Sequence, residues 1–234
     1  MKFNGQHVLI TGAAGNLGRA VARAFAAQGA GLVLADLKRE SLAAAHGAEG
    51  PQRCFMPVNL LEREAVHAAL AEVLKRVPRI DALCHLAGGF RMGEAVHETS
   101  DATWDWLFDL NVRTLLHVAS AVVPHMIAAG GGRIVNVGAY SARQGLASMG
   151  AYTAAKASVI RLTEAMSAEL REKNINVNCV LPTIIDTPQN RAAMPAADPA
   201  RWVAPADLAQ VITFLASDAA RAVHGAALPV TGLS

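Results

Sequence analysis

Residues 7–18, HVLITGAAGNLG, constrain this chain more than any other stretch. His7 to Thr11 is a short apolar run of the kind carried by a strand buried on both faces. It enters a turn with Gly12, Gly15 and Gly18, then an Ala-rich helix that runs to about Gln28 and is stopped by Gly29. Leu32 to Ala35 reads as the next strand, and it ends in Asp36. A strand, Gly12-x-x-Gly15-x-x-Gly18, a helix, a strand and an acid form the setting in which a dinucleotide is bound. The glycines let the backbone approach a pyrophosphate, which sits at the helix N-terminus where free N–H groups and the helix dipole favour anions. Asp36 lies eighteen residues beyond Gly18, placed to accept hydrogen bonds from a ribose 2′-hydroxyl. A carboxylate there repels a 2′-phosphate, so NAD(H) is favoured. Lys38 and Arg39 follow closely and leave NADP(H) open.

The rest of the chain repeats the strand–helix alternation. Lys38 to His46 reads as helix, Cys54 to Val58 as strand, and Glu62 to Arg76 as an amphipathic helix with Val66, Leu70 and Val73 on its apolar side. Asp81 to Leu86 is a fourth strand, ending in Ala87-Gly88-Gly89, and residues 90–100 are loop. Asp101 to about Ala128 reads as one long helix or two, with Pro124 the expected kink. Arg133 to Val137 and Ile175 to Val180 are strands five and six, with a helix from Gly150 to about Glu172 between them. Residues 183–204 are punctuated by prolines and read as irregular or short helical structure. Pro205 to Ala216 is a helix and Ala227 to Val230 a last strand. Helices of crossover length between strands predict a single α/β domain, 1–234, built as a Rossmann-type doubly wound parallel sheet.

On the helix after strand five, Tyr152 and Lys156 lie four apart and so one turn apart on the same face. A nearby ammonium favours the phenolate, which is expected to bring the phenol down from about 10 toward working pH. Such a pair suits reversible carbonyl/alcohol or imine/amine chemistry.

The glycine-rich first turn, Ala87-Gly88-Gly89 after strand four, Asn111 in the next helix and Tyr152-x-x-x-Lys156 after strand five occur in that order. In this the chain resembles the short-chain dehydrogenase/reductase family over essentially its whole length. The resemblance implies an NAD(P)-dependent oxidoreductase in which Tyr152 exchanges a proton with a small-molecule substrate. It further implies that Lys156 also binds the nicotinamide ribose and that Asn111 holds a water in a proton relay. The cofactor residues it implies are Gly12, Gly15, Asn16, Leu17, Gly18 and Asp36 at the first turn, and Asn59 and Leu60 after strand three. Ala87, Gly88 and Gly89 follow after strand four, with Tyr152 and Lys156. After strand six come Pro182, Thr183, Ile185 and Thr187, where Thr183 replaces the family's glycine. Family members usually pair the Asn-bearing and Tyr-bearing helices across two-fold axes. Small residues such as Ala154, Ala157 and Ser158 permit that contact, so a homodimer or homotetramer is expected.

The departures are informative. Asn16 occupies the usual middle glycine, His85-Leu86-Ala87-Gly88 stands for Asn-Asn-Ala-Gly, and Asn59 replaces an adenine-contacting Asp. The family's catalytic Ser, thirteen residues before the Tyr, is Ala139, and Ser141 is the nearest hydroxyl to take its place. Loss of a preorganised donor to a developing oxyanion costs about 10²–10³ in rate. An electron-poor acceptor feels this least. Quinonoid dihydropteridine reductases also keep Tyr-x-x-x-Lys while lacking the Ser, and the C-terminal third from Leu181 to Pro195 resembles theirs at Asp186-Thr187-Pro188, Asn190-Arg191 and Met194-Pro195. The competing expectation is a catalytically weak NAD-binding sensor or scaffold. Arg191 is a candidate lid residue, because loops of this kind often cover a ligand.

Composition excludes other classes. Net charge is +2 with the signs interspersed, so nucleic acid is not an expected partner. Cys54, Cys84 and Cys179 are far apart and lack ligand spacing, so no metal site is expected and a reducing cytoplasm fits best. His85, His97, His117, His125 and His224 read as structural or solvated. The most apolar window, Leu115 to Ala129, is too short to span a bilayer, so no membrane partner is expected.

Overall fold

The structure, a computed structural model, describes residues 2–234. Its strands are β1 (His7–Thr11), β2 (Gly31–Asp36), β3 (Arg53–Pro57), β4 (Ala82–His85), β5 (Gly132–Val137), β6 (Ile175–Pro182) and β7 (Ala227–Val230). They form one parallel sheet in the order 3-2-1-4-5-6-7. The helices are α1 (Asn16–Ala26), α2 (Arg39–His46), α3 (Arg63–Leu74), α4 (Asp101–Phe108), α5 (Thr114–Ala128), α6 (Gly150–Leu170), α7 (Pro188–Ala193) and α8 (Pro205–Leu215). The predicted single-domain doubly wound α/β fold is the one observed.

Side-chain alternation along the strands splits the core into two layers. Val8 and Ile10 of β1, Leu32 and Leu34 of β2 and Phe55 of β3 pack on one face with α1 and α8. Leu9, Val33, Ala35, Cys54 and Met56, their neighbours in sequence, pack on the other face with α3 and α5. Both faces are covered, which is why the strands read as continuous apolar runs. Phe25 of α1 and Leu115 of α5 are fully buried, and truncation of such a side chain to Ala costs about 2–5 kcal/mol.

The expected long helix is two: α4 and α5 are joined by one wide π-turn at Asp109–Arg113, and α5 continues through Pro124. A proline removes one helical N–H bond, whereas the π-turn answers to a demand made at Asn111, described below. Residues 183–204 hold α7 and a 3₁₀ turn at Pro199–Arg201, and Ile185 bridges to Val203. No helix among the described residues is long and apolar enough to cross a membrane.

Candidate active site

β1 pairs with β2 on one side and β4 on the other, so the connections after β1 and β4 diverge. Ligands of open α/β sheets bind at that crevice. A cavity of about 620 Å³ opens there, lined by Gly12, Ala14, Gly15, Asn16, Leu17, Gly18, Asp36, Leu86, Ala87, Gly88 and Thr187. The glycines are what let it form. A Cβ on Gly18 would lie 2.3 Å from the Gly12 carbonyl oxygen, so α1 reaches the turn only with glycine there. Gly12 has φ +63°, and a Cβ on it would crowd the Ala87 nitrogen. No side chain caps α1, so its first N–H groups remain available to an anion. Asp36 stands at the wall, its Oδ2 accepting from Ala14 N–H at 2.9 Å and its Oδ1 from Leu37 N–H at 2.8 Å. Arg39 is turned to Glu49 and Phe55. An anion cradle with a carboxylate in its wall fits a nicotinamide dinucleotide.

Deeper in, Asn111 is 1% exposed and clamps the turn after β4. Its amide nitrogen donates to the Gly89 and Leu107 carbonyls at 3.0 and 2.9 Å, and its oxygen accepts from Gly89 N–H at 3.2 Å. The π-turn that carries Asn111 lies against this clamp. Gly88 must be glycine, since a Cβ would sit 2.7 Å from Asn111 Oδ1 and 3.2 Å from Lys156 Nζ. Lys156 Nζ donates to the Val137 carbonyl at 2.9 Å, and burial brings the ammonium down to about 8.

His85 joins three elements beneath this turn. Thr11 Oγ1 accepts from Leu86 and Ala87 N–H at 3.1 and 3.2 Å, so its own proton goes to His85 Nδ1 at 3.1 Å. Thr114 donates to the Leu110 carbonyl, so His85 Nε2 carries the other proton and points it at Thr114 Oγ1, 3.3 Å away. The histidine is a neutral strut.

A family model described as short chain dehydrogenase matches residues 6–198. This chain belongs to that family. It is 32% identical to a 3-oxoacyl-[acyl-carrier-protein] reductase FabG of Thermotoga maritima, over 99% of this chain and 98% of that one. A solved NAD⁺-bound xylitol dehydrogenase superposes with a TM-score of 0.90 at 28% identity, covering 99% of this chain and 100% of the other. A gluconate 5-dehydrogenase from Burkholderia cenocepacia, solved with NADP and tartrate, superposes with a TM-score of 0.91 at 31% identity, over 99% and 95% of the two chains. The protein is therefore an NAD(P)-dependent oxidoreductase of the short-chain dehydrogenase family.

In this dehydrogenase Tyr152 lines a second, smaller cavity of about 200 Å³, with Arg91, Met92, Glu94, Thr99, Thr103, Leu107 and the segment Ser148–Ala151. Phe90 packs edge-on against the Tyr152 ring, centroids 4.8 Å apart. The expected lowering of the phenol is not found in the protein alone. Burial pushes Tyr152 up to about 12, and the lysine ammonium is engaged by Val137. Ala139 is buried at the end of β5. Ser141 sits half-buried in a 3₁₀ turn, Tyr140–Arg143, and lines neither cavity. Ser148, four residues before Tyr152, lines the second cavity with a left-handed backbone, φ +58°.

Several predicted cofactor residues lie off the large cavity. Asn59 and Leu60 do not line it, and Asn59 spends its amide on Leu61 N–H and Glu62 at the start of α3. Pro182 ends β6, and Ile185 packs against the α1/α8 core. Thr183 turns its hydroxyl to the Thr231 carbonyl and to Ser234. Gly89 meets Trp106 and Leu110. Arg191 is held in a two-pronged ion pair with Asp186, at 2.6 and 2.7 Å. Arg19, Ser41, Ala44 and Ala45 line the large cavity without a sequence signal that singled them out. Asn16 donates to Gln189 of α7 at 2.8 Å, a contact 173 residues apart in sequence.

Proposed function

We propose that the protein is an NAD(H)-preferring reductase or dehydrogenase of a small carbonyl/alcohol or imine/amine substrate, with Tyr152 as the proton donor and acceptor. One observation carries this reading. Tyr152 is the phenol that opens onto the small cavity, while the helix that bears it also brings Lys156 Nζ against Gly88, a residue lining the large one. A bound nicotinamide dinucleotide supplies or accepts the hydride.

Gly12, Gly15, Asn16, Leu17 and Gly18 hold the pyrophosphate against the α1 N-terminus. Asp36 takes the adenosine ribose, and Arg39, paired with Glu49, offers nothing to a 2′-phosphate. Lys156 grips the second ribose, and its charge lowers the phenol once the ammonium turns from Val137. Asn111 holds the turn after β4 and supports the proton relay. The relatives named for 3-oxoacyl groups, xylitol and gluconate support a carbonyl or alcohol substrate.

Ala139 favours a second reading. Without a serine hydroxyl at that position, an acceptor that takes hydride readily, such as a quinonoid dihydropterin, suits the site best. The retention of Tyr152, Lys156 and Asn111 argues against a sensor or scaffold role. Pairing of α5 and α6 between copies into a dimer or tetramer is supported by Leu116, 41% exposed on α5, and by half-buried Ala154, Ala157 and Ser158 on α6. The three buried free cysteines suit a reducing cytoplasm.

The test is NADH oxidation with a panel of small ketones and with a quinonoid dihydropterin, using wild type and Tyr152→Phe. The variant should bind NADH as wild type does and lose turnover by about 10²–10⁴, the range ascribed to a positioned acid–base. Full turnover in Tyr152→Phe would overturn the assignment. Turnover of the dihydropterin alone would select the second reading.

A further inference from the structure

The small cavity contains a charge that the proton-transfer chemistry does not use. Arg91 lines it together with Tyr152. Its guanidinium lies over the Trp106 ring, 3.9 Å from the centroid, and makes no ion pair with any described residue. Stacking of this kind fixes the plane of the guanidinium and leaves its N–H edge free for a planar oxyanion.

The loop is held as well as the side chain. Phe90 packs on the Tyr152 ring, and Gly93 N–H donates to the Ser148 carbonyl at 2.8 Å. Arg91 lies between these two anchors, so its place relative to Tyr152 does not depend on a free loop. Trp106 reaches under Arg91 because residue 89 is glycine; a Cβ there would lie 2.4 Å from the indole.

Glu94, the acid in the same lining, is already engaged. Its oxygens accept from Ser100 N–H at 3.0 Å, Ser100 Oγ at 3.3 Å and Thr103 Oγ1 at 2.9 Å, at the start of α4. Those bonds, together with the nearby Arg91 charge, keep its carboxyl below the usual range, and it remains an anion bonded to Ser100, the N-cap of α4. Ser148, by contrast, has a hydroxyl with no partner among the described residues.

We infer that Arg91, with Ser148 in the same lining, is the specificity determinant of this site, and that the substrate is a small molecule bearing a carboxylate remote from the carbon that reacts at Tyr152. The cavity, at about 200 Å³, falls below the roughly 300–1,000 Å³ of pockets for drug-sized ligands. A small hydroxy acid or oxo acid matches that size, and a long acyl chain does not. This rests on the oxidoreductase reading for what happens at Tyr152, but not for binding of the anion.

The test therefore measures binding apart from turnover. Cyclopentanecarboxylate and its neutral isostere cyclopentanecarboxamide are titrated calorimetrically into the purified protein, with and without NADH. The carboxylate should bind about tenfold tighter than the amide, as a charge-assisted bond in a partly enclosed site allows. Arg91→Gln should erase that difference, and Arg91→Lys should keep part of it. Quenching of Trp106 fluorescence by the carboxylate alone would report binding at the stacked pair. Equal affinity for the two ligands, no binding of the carboxylate at millimolar concentration, or an unchanged preference in Arg91→Gln would each overturn the inference. Failure to bind NADH would instead count against the oxidoreductase reading and leave the carboxylate result standing on its own.

Discussion

Ala139 stands where the family resemblance implies a catalytic serine. Its backbone is extended and its side chain buried at the end of β5, the position where the family resemblance expects a hydroxyl. Ser141, the candidate to replace it, lines neither cavity. Restoring the donor should therefore help a substrate that builds up negative charge on oxygen. Ala139→Ser should raise kcat for a plain ketone by about tenfold or more, a fraction of the 10²–10³ that loss of such a donor costs, and change NADH affinity little. An unchanged kcat would mean that oxyanion stabilisation does not limit this enzyme. Residues of this kind were legible in sequence because their spacing is local: Tyr152 and Lys156 are one helical turn apart. What spacing does not carry is solvation. The burial that brings Lys156 down to about 8 and pushes Tyr152 up to about 12 comes from β5, β6 and the loop of Phe90, far away in the chain.

Among the elements, strands and helices were legible wherever an apolar period ran unbroken, and boundaries moved by only a residue or two. The π-turn at Asp109–Arg113 was not, because its cause is tertiary: Asn111 must reach Gly89, which comes from another connection. For α7 the tertiary contacts were likewise beyond the sequence, though a short helix in this stretch was not. Proline spacing allows irregular or short helical structure there without placing the helix; Thr187 caps it through Asn190 N–H, and Gln189 reaches Asn16. That contact uses the position where the family carries glycine, so it ties α7 to the mouth of the anion cradle. An exposed hydrogen bond of this sort contributes about 0.5–1.5 kcal/mol. Gln189→Ala should thus speed NADH release by roughly two- to tenfold in stopped-flow measurements, with the proton-transfer step unaffected. A release rate equal to wild type would show that the segment is held by Ile185, Val203 and the Arg191–Asp186 pair alone.

At the scale of the whole molecule, the pairing of β1 with β4 both makes the cleft and joins the two halves of the sheet, and His85 stands at that joint. Its two ring nitrogens link Thr11 of β1 with Thr114 of α5, and the Thr11 bond, in which Nδ1 accepts, requires the neutral ring that the hydroxyl network specifies. Burial, with the Lys156 charge adding to it, pushes His85 down to about 3, while an unfolded histidine titrates near 6.5. Between those values the unfolded chain binds more protons than the folded one, so folding loses stability as the pH falls. The contribution is complete above about pH 6.5 and is withdrawn toward pH 3, with roughly 5 kcal/mol as its upper bound. Carboxylates add their own acid sensitivity lower in the range, so the histidine component is isolated by replacement. His85→Asn, which supplies the residue the family carries there, keeps a donor and an acceptor but cannot take a proton. Its Tm at neutral pH should lie a few degrees from wild type. Between about pH 6.5 and 4.5 its Tm should fall less steeply, because one fewer proton is taken up on unfolding. Parallel Tm–pH curves for the two proteins over that interval would show that the joint tolerates a charged ring, and that the acid sensitivity of this fold lies elsewhere.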